Sequence, residues 1–240
     1  MARFTPGDPF PPFILGKHTY AEAQAHAAEA DAWLGFKLAP IEKKLAEIGC
    51  RSRAPGASGE RQELWFGLET QMLLTPYMEI RALLESLKPR PGQSFIDLGA
   101  GYGRMGFVLG RCFPGTKFVG YEYVGERVIE GRRVLSKFNY PGIRLEHADL
   151  AAESFEPDAA DVYFIYDYGT PKAVEKTLYD LKRMAAEKPI TLVGRGRHCR
   201  YLIERSHPWL VKSDPKAPES RTTVYSSYVE SGSNRLWLTA

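Results

Sequence analysis

The sequence predicts an α/β protein: a doubly wound, mostly parallel seven-stranded sheet with a C-terminal antiparallel hairpin and an N-terminal helical extension. Three observations predict it. Short apolar runs alternate with helix-forming segments in steps long enough for right-handed parallel crossovers. A glycine-rich stretch follows the first of these runs and leads into a helical segment. Thr222 to Glu230 and Arg235 to Thr239 alternate like strands around Ser231-Gly232-Ser233-Asn234, which signals a closing hairpin.

The elements follow in order. Residues 1–18 are rich in Pro, Gly and Phe and read as an irregular arm. Tyr20 to Ile48 is rich in Ala, Glu, Leu and Lys, which favour helix, and Pro40 is expected to divide it in two. Residues 51–60 read as an exposed linker, so the chain divides into an arm and helical extension (1–60) and a main α/β domain (61–240). Pro76 to Leu87 is the next expected helix, with Met78, Leu83, Leu84 and Leu87 near a 3.6-residue period. Strands are expected at Ser94–Leu98, Lys117–Glu122, Ile143–His147, Asp161–Tyr166 and Ile190–Val193. Helices are expected to Cys112, from Val124 to Asn139 and from Pro171 to Ala186. Met72, Leu73 and Leu74 read as core residues.

Composition narrows the function. Of the 240 residues, 44% are hydrophobic and 25% charged, with a formal net charge of +3. That balance is globular and lacks the strong positive excess of a nucleic-acid polycation. Cys50, Cys112 and Cys199 are widely spaced without a CxxC pair, so neither a zinc site nor a disulfide framework is expected. His198 and His207 lack partners for a metal site. No stretch has the length of a membrane span, and the first residues lack a secretory h-region. The expectation is a cytoplasmic chain with reduced thiols.

The chemistry concentrates in Phe95-Ile96-Asp97-Leu98-Gly99-Ala100-Gly101-Tyr102-Gly103-Arg104-Met105-Gly106. A strand running through glycines into a helix brings a ligand to the carboxyl edge of the sheet. The following helix start offers N–H groups to a negative group. Two ligand classes fit, dinucleotides and S-adenosylmethionine, because Gly101 to Gly106 also satisfies GxGxxG. Asp97 discriminates: a carboxylate there repels a pyrophosphate and suits a cofactor with a cationic amino-acid end. Glu122 closes the second strand, 25 positions on, where its two oxygens suit ribose hydroxyls with either ligand. Asp149 follows the third strand and suits an adenine amino group. The plainer alternative for each acid and glycine alone is an ordinary turn residue.

These residues resemble a family. Phe95 to Gly103 resembles motif I of class I S-adenosylmethionine-dependent methyltransferases, a D-x-G-x-G-x-G pattern. Gly120-Tyr121-Glu122 resembles motif II, Ala148-Asp149-Leu150 resembles the adenine-contacting segment, and Asp161 to Gly169 stands at motif IV. The resemblance spans roughly residues 70–240. Within the superfamily the chain resembles the non-SET protein lysine methyltransferases. Thr75-Pro76-Tyr77 precedes a helix and motif I at a similar offset, and Tyr166-Asp167-Tyr168-Gly169-Thr170-Pro171 is similar to their motif IV, with Asp167 where they carry Asn. A capping threonine before a first-turn proline is the plainer reading of Thr75-Pro76.

The resemblance implies an enzyme that binds S-adenosylmethionine through Thr75, Asp97, Gly99, Ala100, Gly101, Gly103, Glu122, Asp149 and Leu150, without a metal. Tyr166, Asp167 and Tyr168 are the catalytic candidates. Asp167 would orient an amine or act as base, and the tyrosines would wall the site. A protein acceptor, with lysine as candidate, is the first expectation. An RNA or small-molecule acceptor and a non-catalytic cofactor-binding module are the alternatives, and Asp97 disfavours a nicotinamide oxidoreductase. Arg195, Arg197, His198 and Arg200 read as a basic loop after the fifth strand, fit for an acidic surface or simply solvated.

Overall fold

The computed structural model describes residues 4–52, 69–214, 221–227, 230–231 and 234–235. Their elements run α1 (Tyr20–Leu34), α2 (Leu38–Ser52), α3 (Thr70–Leu73), α4 (Tyr77–Leu87), β1 (Ser94–Leu98), α5 (Arg104–Cys112), β2 (Lys117–Glu122), α6 (Gly125–Leu135) and β3 (Ile143–His147). The second half adds β4 (Val162–Tyr166), α7 (Pro171–Glu187), β5 (Thr191–Arg195), α8 (Arg197–Ser206), β6 (Leu210–Lys212), β7 (Thr222–Ser227), β8 (Glu230–Ser231) and β9 (Asn234–Arg235).

The sheet order is β3-β2-β1-β4-β5-β7-β6. β1 to β5 are parallel, and β7 runs antiparallel to both β5 and β6. The order reverses between β1 and β4, which opens a crevice at their carboxyl ends. Side-chain alternation makes two cores. Phe95, Phe118, Phe164 and Val193 face α1, α4, α5 and α6. Ile96, Val119, Tyr163 and Leu192 face α7 and α8. Asp97 shares the parity of Phe95, so it belongs to the first face.

The N-terminal helices are set by their caps. Thr19 and Glu22 form a capping box, with the Glu22 amide donating to Thr19 Oγ1 at 3.2 Å and the Thr19 amide to Glu22 Oε2 at 2.9 Å. Gly35, in the left-handed region at φ 81°, ends α1. The break therefore falls at Gly35 and not at Pro40. Pro40 lies in the first turn of α2, where its missing N–H costs nothing. α1 turns Ala23, Ala27, Ala30 and Leu34 inward, and burying Leu34 alone contributes about 1.5–3 kcal/mol. The arm docks too: Phe10 is buried and stacks on Tyr77 at 4.8 Å. Residues 53–60 of the expected linker lie outside the described residues.

Four further expectations are corrected. The antiparallel pair on the sheet is β6 with β7, and Glu230–Ser231 and Asn234–Arg235 form the separate β8–β9 pair. Residues 236–239 of its expected second strand lie outside the described residues. The expected basic loop is the end of β5 followed by α8, a helix whose first turn is crowded with cations and so lacks an apolar stripe there. α6 stops at Leu135, followed by tight turns through Phe138. Pro76, not Thr75, takes the N-cap position of α4, which carries no side-chain cap.

Candidate functional site

The loop between β1 and α5 folds back on β2. The Gly99 and Ala100 amides both donate to the Tyr121 carbonyl at 2.9 Å, and the Gly101 amide donates to Glu122 Oε2 at 2.8 Å. The Gly103 amide donates to the Ala100 carbonyl at 2.8 Å. These four amides are thus spent inside the protein, and the helix-start amides of Arg104 and Met105, where N–H groups for a negative ligand are expected, are not among them. Two glycines are required outright. Gly99 has φ 94°, and a Cβ there would lie 2.9 Å from Tyr168 Cβ. Gly103 has φ 81°, and its Cβ would lie 2.7 Å from Leu145 Cδ2.

Two cavities meet across this loop. The first, about 330 Å³, is lined by Glu122, Val124, Arg127, Asp149 and Leu150, and on its far side by Tyr166 to Thr170. The second, about 530 Å³, holds Asp97, Thr75, Ala100 and Arg104 above an apolar floor that includes Phe164 and Val193. Leu73, Leu74, Gly99, Gly101 and Tyr166 line both. The structure therefore brings Gly99, Gly101, Glu122, Asp149 and Leu150 to the first cavity and Thr75, Asp97 and Ala100 to the second. Gly103 lines neither and serves as the left-handed cap of α5.

The three acids differ. Glu122 is buried and satisfied: Oε2 accepts from Gly101 and Oε1 from the Val124 amide at 2.8 Å. Each oxygen keeps acceptor capacity beyond that one bond. Asp149 Oδ1 accepts from the Ala151 amide at 2.9 Å, forming an Asx turn. Asp97 has no donor on its carboxylate among the described residues. Burial, with the neighbouring Glu122 charge, raises its pKa to about 7.

The catalytic candidates occupy distinct environments. Tyr166 is 36% exposed between the cavities. Arg195 lies over its ring at 5.1 Å and pairs with Glu79 at 2.6 Å. Asp167 sits at positive φ. Its Oδ1 accepts from the Cys199 amide at 2.7 Å and its Oδ2 from the His198 amide at 3.3 Å, so the carboxylate caps the start of α8. Tyr168 packs against Gly99, and its hydroxyl pairs with Thr177 Oγ1. Burial pushes the Tyr168 phenol well up, so it stays protonated at neutral pH.

Sequence reasoning missed three contributors. Met72 is exposed, and with Leu73 and Leu74 it forms cavity wall instead of pure core. Arg127 lines the first cavity, bound to Glu42 of α2 through Nε at 2.9 Å and Nη2 at 3.1 Å. Arg104 lines the second, paired with Asp31 of α1. The available signal was an acid on an apolar helical stripe: Asp31 among Ala27, Ala30 and Leu34, and Glu42 between Leu38 and Leu45. Among the described residues no group of three or more His, Cys, Asp or Glu is placed to hold a metal, and no helix is long and apolar enough to cross a membrane.

No protein-family model matches the sequence, and no curated protein matches it. Solved structures resemble it in fold. TrmN from Thermus thermophilus is 19% identical over 64% of this chain, with a TM-score of 0.48, and the chain spans about half of it, 48%. A TehB-like SAM-dependent methyltransferase from Corynebacterium glutamicum is 14% identical over 78% of this chain and 97% of its own, at 0.46. An RNA methyltransferase from Salinibacter ruber in complex with S-adenosyl-L-homocysteine is 19% identical over 64% of this chain and 92% of its own, also at 0.46. The chain's own arrangement is a mostly parallel seven-stranded sheet ending in an antiparallel pair.

Proposed function

We propose that this chain is a class I S-adenosylmethionine-dependent methyltransferase acting on a protein side chain, with lysine as the candidate acceptor. One observation carries the reading. An unpartnered carboxylate, Asp97, lies across a glycine backbone from a cavity edged by Glu122 and Asp149. The donor chemistry fits the cofactor: acceptors for a ribose and an adenine on one side, and an acceptor for an ammonium on the other. It fits a dinucleotide poorly, since Asp97 repels phosphate and the amides of Gly99, Ala100, Gly101 and Gly103 are spent.

When bound, S-adenosylmethionine supplies an activated methyl group on a sulfonium. The chain supplies the rest. Glu122 would accept from the ribose hydroxyls with its remaining lone pairs. Asp149 and Leu150 would hold the adenine, and Asp97 would hold the amino-acid end. Gly99, Gly101, Leu73 and Leu74, which line both cavities, would bound the ligand where the cavities join. Tyr166, exposed where the cavities join, bounds the acceptor's approach. Asp167 and Tyr168 act by position: Asp167 anchors the turn to α8, and Tyr168 backs Gly99. Alignment and exclusion of water then do most of the catalytic work. An amine acceptor must lose its proton before attack, and that proton passes to water.

A cationic guanidinium over Tyr166 favours a second reading, an anionic small-molecule or RNA acceptor. Glu79 offsets that charge at 2.6 Å, which returns the preference to protein. Incubation with radiolabelled cofactor and matched lysate, followed by protease or nuclease, tests both. Label lost to protease supports the protein acceptor, and label lost to nuclease overturns it. Absence of any transfer, with S-adenosylhomocysteine still bound, identifies a non-catalytic binding module.

A further inference from the structure

The two helices before the sheet are wired to the cofactor loop by buried charge, and each contact reaches a different cavity. In α2, Glu42 accepts from Arg127 and, at 2.8 Å, from the hydroxyl of Tyr102 in the glycine loop. All three are buried, and Arg127 lines the cavity of Glu122. In α1, Asp31 accepts from Tyr77 at 2.8 Å, from Gln71 at 3.1 Å and from Arg104. Arg104 lines the cavity of Asp97 and donates through Nη1 to the Thr75 and Leu74 carbonyls at 3.1 and 3.4 Å. It thereby fixes the wall that turns from α3 to α4.

An acid buried on an otherwise apolar helical stripe carries a desolvation cost that plain packing does not require. Here the acids meet Tyr102 of the loop, Arg104 at the start of α5 and Arg127, which lines the cavity of Glu122. We propose that α1 and α2 form a two-point positioning device for the cofactor. Glu42 sets the nucleoside side through Arg127 and Tyr102, and Asp31 sets the amino-acid side through Arg104. This rests on the methyltransferase reading. It makes the extension part of the binding site and assigns Glu42 and Asp31 as positioning residues, since neither lines a cavity.

The two points are separable with two probes. S-adenosylhomocysteine carries nucleoside and amino acid, whereas 5′-methylthioadenosine lacks the amino acid. Calorimetric titration of the full chain should show Glu42→Gln weakening both probes roughly tenfold, the loss of about one charge-assisted hydrogen bond. Asp31→Asn should weaken S-adenosylhomocysteine roughly tenfold and leave 5′-methylthioadenosine within about twofold. Buried pairs are costly to break, so Tyr102→Phe and Tyr77→Phe supply milder versions, each removing one hydrogen bond from Glu42 or Asp31. They should show the same selectivity at roughly threefold. Asp31→Asn or Tyr77→Phe shifting both probes equally, or Glu42→Gln leaving both unchanged, overturns the proposal. A wild-type chain that binds neither probe overturns the methyltransferase reading itself, and this inference with it.

Discussion

Asp97 and Glu122 end neighbouring parallel strands and stand on either side of one glycine loop, yet the protein treats them oppositely. Both oxygens of Glu122 are engaged by backbone amides, so that carboxylate builds the loop before any ligand arrives. The Asp97 carboxylate meets no donor among the described residues, and its pKa stands near 7. A satisfied buried acid contributes to folding, whereas a half-buried carboxylate that opens on a cavity without a protein donor is left for solvent or for a ligand's positive charge. Strand-end acids are therefore not interchangeable, and their partners separate scaffold from binding group.

The comparison breaks most sharply at Asp97. Asp97→Ala should abolish thermal stabilisation by S-adenosylhomocysteine, at least about 100-fold in affinity, while the ligand-free melting temperature holds or rises. Retained stabilisation would remove its assigned role. Glu122→Gln should show the reverse bias. Loss of a charged acceptor for two buried amides costs about 2 kcal/mol, a melting temperature lower by roughly 5 °C without ligand, read by calorimetric scanning. An unchanged melting temperature would place Glu122 with Asp97 as a ligand group alone.

The pH dependence sharpens the same contrast. Asp97 has a folded pKa raised above its unfolded value, so its ionisation makes the ligand-free protein less stable as pH rises from about 4 to 7. A ligand ammonium binds the ionised form. Affinity for S-adenosylhomocysteine should climb roughly tenfold per unit up to about pH 7 and then level. Asp97→Asn should flatten that profile, and a profile of unchanged slope would assign the titration elsewhere. The smallest effect is expected at Asp167→Asn. Weakening the charged cap of α8 should cost about 1 kcal/mol in urea unfolding, with methyl transfer kept within about threefold. A far larger loss of transfer at unchanged stability would assign Asp167 the role of base.

Much of this architecture was legible because the information is local. β1, β2 and β3 fall where their apolar runs predict, since each strand carries its own alternating or continuous pattern. Thr170 before Pro171 marks the start of α7 because the cap needs only neighbouring residues: the Ala173 amide donates to Thr170 Oγ1 at 3.3 Å. Pro40 misled because a proline's effect depends on which turn of the helix holds it, and Gly35 had already ended the preceding helix. That Asp167 also caps α8 was not legible, because its partners, the amides of residues 198 and 199, are distant in sequence. The two cavities had no sequence signature, since side chains from α3, α4 and β4 join them only after folding.

The sequence by itself determined which segments are strands, where the chain turns through glycine, and that acids stand at the ends of β1 and β2. Periodicity, left-handed backbone and short-range capping are properties of a few consecutive residues. Only tertiary structure decided which acid is spent and which is left open, and that Asp31 and Glu42 reach across to the glycine loop. Burial and hydrogen-bond partnership depend on residues brought together from far along the chain, and the cost of a buried charge is set by those neighbours.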